Sequence, residues 1–381
     1  MKKNIVIHSN KNILALAIGI SLFASANAQT NPPKLNLVAT TDKHNWNGVA
    51  ISNDGRLFAE FPRFAKGDYP SIVEIKKDGS KVPYPNKEWN NWQKGKNPQT
   101  AFVSLNAIYI NREDNHLWAV DPGDPNFGDN IPGAEKLVEM DLSTNKVINT
   151  YIVPTEMVPG NTHFNDIRIK GDWVYITEST AGSIFVLNKK TKEFRRLLLD
   201  SKLTKADTSI HPIYFGRTLE ASPGKAPVLN ADQVELNPAG DTLYFSSPFG
   251  PDLYQVATSD LRDESLTTPE LEKKISVYIT MNPIGGLIMD KYGNLYLGEI
   301  KNGSIRCVGP DKKTKWFLQD NRIQWPDALS ISPDGTIYIA IAQVGALPMM
   351  SDGKDLRKPP FYIFSFKPEN STIEINPLEK K

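Results

Sequence analysis

The chain has 381 residues, with 44 Lys and Arg against 43 Asp and Glu, for a formal net charge of +1. That balance, with both signs interspersed, excludes the clustered basic surface that nucleic-acid phosphates require. A lone cysteine, Cys307, cannot close an intrachain disulfide, and its neighbours Ile305 and Val308 predict a buried, inert thiol on a strand.

The N-terminus reads as a processing signal. Lys2, Lys3 and Lys11 supply positive charge, and no acidic residue precedes Asp42. An apolar run from Ile13 to Phe23 leads into Ala26-Asn27-Ala28, the three-part pattern of a secretory signal peptide cleaved after Ala28. The run is too short to cross a bilayer. An exported protein is therefore expected, periplasmic or extracellular, with no membrane span.

Residues 29–381 read as a single all-β domain. Short apolar runs are separated by turns such as Asn53-Asp54-Gly55, Pro238-Ala239-Gly240 and Pro333-Asp334-Gly335, and no long stretch keeps a helical period. One unit recurs: a short apolar strand, a turn, and a second strand carrying a large side chain. The second strands hold Phe58, Trp118, Tyr175, Tyr244, Tyr296 and Tyr338, roughly 40 to 70 residues apart, as four-stranded units require. A single four-stranded sheet has two faces to bury, and closing six of them into a ring buries those faces. The predicted fold is a six-bladed β-propeller.

Two segments interrupt the repeat. Residues 200–230 are rich in turn formers and are expected to lie over one face. Beyond Tyr338 the chain passes through Pro348-Met349-Met350 and Lys358-Pro359-Pro360 to a last strand, Phe361 to Phe366. Either that strand or the early run Leu35 to Thr40 is expected to complete the blade joining the two chain ends.

The repeat also sets chemistry in register. Two residues before the first apolar strand residue of each unit stand Asn47, Asn106, Asn165, Asp232, Gly285 and Asp327. If these strands are innermost, five oxygen-bearing side chains converge on the channel. Asn and Asp also begin strands simply by bonding local backbone. The sharper expectation is an oxygen-lined site in which Asn165 and Asp232 hold a hard cation, Ca²⁺ or Mg²⁺, on the axis. Trp46, Phe164 and Trp325 flank ring positions, and with Asn47, Asn106 and Asp327 they are candidate ligand-binding residues for an aromatic or cationic small molecule. His163 and Asp166 are the candidate pair for proton transfer. Asp121, Asp124 and Asp129 read as a solvated turn.

Several runs resemble the major royal jelly/yellow protein family. They are Leu117-Trp118-Ala119-Val120-Asp121-Pro122-Gly123, Phe164-Asn165-Asp166-Ile167-Arg168, Tyr175-Ile176-Thr177-Glu178-Ser179, Leu253-Tyr254 with Leu261-Arg262-Asp263, Gly286-Leu287-Ile288-Met289-Asp290, and Gln319-Asp320 to Trp325-Pro326-Asp327. The resemblance implies a secreted six-bladed propeller that binds small aromatic amines, converts dopachrome, or serves without catalysis. A more distant likeness to gluconolactonase/regucalcin propellers implies an axial divalent cation held by a Glu, two Asn and an Asp. Asn165 and Asp232 match the two Asn positions, Gly285 stands where the Asp would be, and no Glu is evident near Asn47. Three functions follow as expectations: a monomeric binder or isomerase acting on a small aromatic amine, a metal-dependent lactone hydrolase, or a partner-binding scaffold.

Overall fold

The computed structural model describes residues 32–63, 69–158 and 160–368, so the expected signal peptide lies outside the described residues. Six four-stranded antiparallel sheets form a closed ring, the six-bladed propeller. The innermost strands of blades 1 to 6 are Val49–Ile51, Ala107–Asn111, Phe164–Lys170, Gln233–Leu236, Ile284–Met289 and Pro326–Ile331. Blade 6 closes the circle. Its first three strands come from the C-terminal part of the chain, ending with Phe361–Phe366, and its outermost strand is Asn36–Thr41 from the N-terminal part. Both candidate closing strands are therefore used, one beside the other.

The recurring large side chains explain the closure. Each sits in the second strand of its blade and reaches forward to the next blade's apolar face. Phe58 packs with Ile108 and Leu117, Trp118 with Ile167 and Val174, and Tyr175 with Val234 and Leu243. Tyr244 packs with Leu287 and Leu295, Tyr296 with Ile337 and Phe366, and Tyr338 with Val49 and Ala59. Six apolar seams thus alternate with six sheets. Cys307 is buried in the seam between blades 5 and 6, where burial pushes its thiol up to about 12 and leaves it inert.

Residues 200–230 do lie over one face. A two-stranded hairpin, Ile213–Tyr214 with Arg217–Thr218, packs Tyr214 and Leu219 against Trp325, Phe249, Val344 and Met350. Arg217 Nη1 donates to the Met350 carbonyl at 2.9 Å, tying this insertion to the excursion of blade 6. Asp121 and Asp124, expected in a solvated turn, are instead buried. Asp121 accepts from Val103 and Ser104 main-chain N–H at 2.8 and 2.9 Å and from Lys136 Nζ at 2.5 Å, which anchors the loop beneath the same face.

Blades 5 and 6 approach most closely at the axis. A Cβ on Gly286 would lie 1.5 Å from the Asp327 carbonyl oxygen, so glycine is required there by space rather than by dihedral angle. Gly286→Ala is expected to cost about 3 kcal/mol or more by forcing the two innermost strands apart. Thermal unfolding of the purified variant measures this, and a melting temperature equal to wild type would refute the close approach.

Candidate functional site in the axial ring and its outer cup

The ring positions do meet around the axis. In blades 3, 5 and 6 the innermost strand enters through a register shift, at Phe164/Ile167, Ile284/Leu287 and Pro326/Leu329. Such bulges re-aim a side chain that regular pleating would place elsewhere. Asn47 Nδ2 donates to the Asn106 carbonyl at 3.0 Å, Asn106 Nδ2 to the Asn165 carbonyl at 3.0 Å, and Asn165 Nδ2 to Asp232 Oδ2 at 2.8 Å. Gln233 continues the circle, its Nε2 donating to Asp232 Oδ1 and to the Gly285 carbonyl, both at 3.1 Å. Trp325 Nε1 donates to Asp327 Oδ1 at 2.9 Å. The ring therefore stitches blades together as well as lining the axis.

Two cavities meet at this ring. An outer cup of about 310 Å³ lies under the insertion, with Phe127, Leu229, Trp325, Val344 and Met349 in its walls. A lower channel of about 270 Å³ runs along the innermost strands. Asn106, Asn165, Asp232 and Asp327 line both. The ring is thus the floor of one cavity and the ceiling of the other.

The electrostatics of this floor are one-sided. Burial raises the Asp232 carboxyl well above the usual range, and the nearby Asp327 and Asp166 raise it further. Burial likewise pushes Asp327 up to about 8, against the opposing hydrogen bond from Trp325. Among the described residues, neither carboxylate has a Lys, Arg or His partner; their hydrogen-bond donors are neutral amides and an indole. Glu60, missed in the sequence, stands just behind. Its Oε2 accepts from Gly48 main-chain N–H at 3.1 Å, its Oε1 is buried without a partner, and burial with Asp327 and Asp121 nearby holds it well above its ordinary value. The hairpin register pairing Val49 with Ala59 places Glu60 opposite Gly48, so the turn Asn53-Asp54-Gly55 carried the signal.

The other candidates divide between the cup, the channel and the core. Asn47, Asn106, Asn165, Asp232, His163, Trp325 and Asp327 line the cup. Trp46 and Phe164 do not: both are fully buried in inter-blade seams, Trp46 against Phe61 and Phe164 edge-on to Phe185. Each points away from the axis that its chain neighbour, Asn47 or Asn165, faces. His163 and Asp166 do not form a pair. His163 Nδ1 lies 2.6 Å from Asp124 Oδ2, within the cup wall. Asp166 faces the lower channel and is held by Arg168, whose Nη1 is 2.8 Å from Asp166 Oδ2 and whose Nε is 3.0 Å from Glu235 Oε1. Asp124 was not legible as the partner because 39 residues separate it from His163.

A hard cation fits this ring poorly. Asn165 and Asp232, expected as two oxygen ligands of one ion, are joined through an N–H donor. At Gly285 a Cβ would lie 2.9 Å from Trp325 Cδ1 and 3.0 Å from Trp325 Nε1. The indole thus fills the sector where another carboxylate would stand, and it presents a donor rather than an acceptor. Among the described residues, three carboxylate or imidazole groups bring ligand atoms within 4.8 Å of one another only at Asp114, His116 and Glu139, outside the ring.

Fold and ring together define a six-bladed propeller with a carboxylate-floored cup on its axis. The family described as major royal jelly protein matches residues 103–350, and the chain belongs to that family. No curated protein matches the sequence. Among solved structures, a gluconolactonase from Xanthomonas campestris superposes with a TM-score of 0.53 at 11% identity, over 90% of this chain and 93% of that one. A luciferin-regenerating enzyme does so at 0.53 and 10% identity, over 88% and 95%. A putative gluconolactonase gives 0.53 and 12% identity, over 89% and 94%. These three share the fold.

The raised carboxyls predict how stability responds to pH. Asp327 has a folded value near 8 and an unfolded value near 3.8. Its contribution is therefore fully present below about pH 4 and is lost as pH rises toward 8, where the folded protein must bury a charge. Asp327→Asn keeps the acceptor for Trp325 without the charge. The variant is expected to melt above wild type at pH 8.5 by roughly 2 °C or more, with the difference shrinking toward pH 5. A pH-independent difference would contradict the burial of this charge.

Proposed function

We propose that the outer cup binds a small aromatic amine, its ammonium on the Asp232 and Asp327 carboxylates and its ring against Trp325, Phe127 and Met349. The observation that carries this reading is a pair of neighbouring carboxylates without a cationic partner, set in the floor of a cup walled by Phe127, Leu229, Trp325, Val344 and Met349. A pocket of this size and character suits a small ligand, with a few polar groups fixing orientation. An ammonium supplies the missing charge, and the aromatic walls favour a flat ring. Family membership supports the same ligand class.

The cup also holds the parts for proton transfer. Asp124 on Nδ1 orients His163 and leaves Nε2 as the working nitrogen, the arrangement by which a carboxylate fixes an imidazole tautomer. A tautomerisation such as dopachrome conversion moves protons from ring carbon to the quinone oxygens, and in this reading His163 Nε2 relays them. His163→Gln is expected to lower such turnover by about 100-fold or more while leaving amine binding intact. Equal turnover in the variant would rule out His163 as the proton carrier.

Calorimetry with tyramine, dopamine and tryptamine tests the binding reading. A Kd on the order of 10 µM is expected for ligands of this size. Because the amine favours the ionised carboxylate, affinity should fall as pH drops below about 8, the value to which Asp327 is raised. Proton release near pH 7 should appear as a buffer-dependent heat. No saturable binding at millimolar amine, or binding indifferent to Asp232→Asn combined with Asp327→Asn, would sink the proposal.

A metal-dependent lactonase is the second reading, favoured by the Oδ1 atoms of Asn47, Asn106 and Asn165, which accept no hydrogen bond among the described residues. On the donor set above, EDTA and added Ca²⁺ should leave the melting temperature unchanged. A drop on chelation that Asn165→Ala abolishes would reverse that preference. Export is proposed on the pattern ending at Ala26-Asn27-Ala28. Sequencing the N-terminus of the protein from its native cells should give Gln29, and an intact Met1 on the bulk of the protein would refute cleavage.

A further inference from the structure

The lower channel carries both signs of charge, with Arg112, Arg168, Lys170 and Lys291 beside Glu113, Asp166, Glu235 and Asp290. Arg112 follows the innermost strand of blade 2 and lines the lower channel. Its Nη1 donates to Asn53 Oδ1 at 2.9 Å, in the first turn of blade 1, and its Nη2 donates to the Ile331 carbonyl of blade 6. Both partners are neutral. The neighbouring cations of the channel are otherwise served: Lys170 lies 2.6 Å from Glu113, and Arg168 is held by Asp166 and Glu235. Among the described residues no carboxylate forms an ion pair with Arg112 (burial holds its guanidinium down to about 10, opposed only by the Tyr109 phenol).

A guanidinium has five N–H donors in a rigid fork. Asn53 and Ile331 engage one on each terminal nitrogen, so Nε and the remaining terminal hydrogens have no acceptor among the described residues. Withdrawing a cation from bulk water without a counter-ion is unfavourable, and an oxyanion bound in paired N–H···O contacts relieves that cost.

We propose that the lower mouth of the channel is an anion site, with Arg112 as its anchor, for a small ligand bearing a carboxylate or phosphate group. The site is distinct from the cup. Six steps along the chain, through the strand Ala107–Asn111, separate Asn106 from Arg112, about 20 Å at the rise of a β-strand. The axis is thus polarised, with a floor for cations at one end and an anchor for anions at the other.

The test uses the full protein with inorganic phosphate and with succinate, read by thermal shift and calorimetry against sodium chloride at matched ionic strength. Saturable stabilisation by either anion is expected beyond that of chloride, and whichever anion responds identifies the group recognised. Arg112→Gln should weaken binding at least tenfold, and Arg112→Lys should bind less tightly than wild type because a point charge cannot pair two oxygens. Stabilisation no greater than that by chloride, or affinity unchanged in Arg112→Gln, would overturn the proposal. Should Arg112→Gln fail to fold, equal affinity in Arg112→Lys and wild type overturns it instead. Amine binding in the cup should persist in the folded Arg112 variants, so the two readings stand or fall separately.

Discussion

A four-stranded sheet with apolar side chains on both faces has nothing within itself to cover them. In this protein the cover is always the next blade. The aromatic ring carried by each second strand spans the gap to its neighbour, from Phe58 onto Ile108 through to Tyr338 onto Val49. The apolar term is proportional to the area withdrawn from water, so a break at any seam exposes two faces at once. Closure by Asn36–Thr41 on Phe361–Phe366 keeps the last seam from opening by tying the N-terminal part of the chain to its final blade.

Closure has an electrostatic consequence. Six strands drawn to one axis bring their first residues together, although those residues lie far apart in the chain. Asn47, Asn106 and Asn165 accommodate this by donating around the circle. Asp232 and Asp327 cannot do so as anions; burial pushes both carboxyls upward, with Asp327 and Asp166 adding to the rise of Asp232 and Asp166 to that of Asp327. That arrangement is unfavourable for folding on its own. Groups with strongly shifted ionisation in a cavity mark candidate working sites, and the proposed amine site rests on this pair.

The covering segments turn a channel mouth into a pocket. The hairpin Ile213–Tyr214 with Arg217–Thr218 and the excursion through Met349-Met350 are bound to each other by Arg217 and rest on Trp325. Trp325 has a backbone φ of 63°, a left-handed conformation that bulky residues adopt only when surroundings compel it. That conformation lets one side chain face the cup, bond Asp327 and fill the space beside Gly285. Two departures from a regular repeat, Gly285 and the twisted Trp325, are thus one local solution.

The number of blades, the strand order within each and the ring positions were legible in the sequence. They follow from short-range rules: alternation along a strand, glycine turns, and a large residue repeated once per blade. The membership of the site was not equally legible. Trp46 and Phe164 stand next to ring residues in the chain, yet both are buried in the seams, while Leu229 and Met349 reach the cup from distant excursions. His163 found its carboxylate in Asp124 rather than Asp166, and Arg112 lies without one at the opposite mouth. The sequence by itself determined the blades, because each blade forms from neighbours in the chain. Only the tertiary structure decided which charges were compensated, because that depends on distances across the axis set by ring closure.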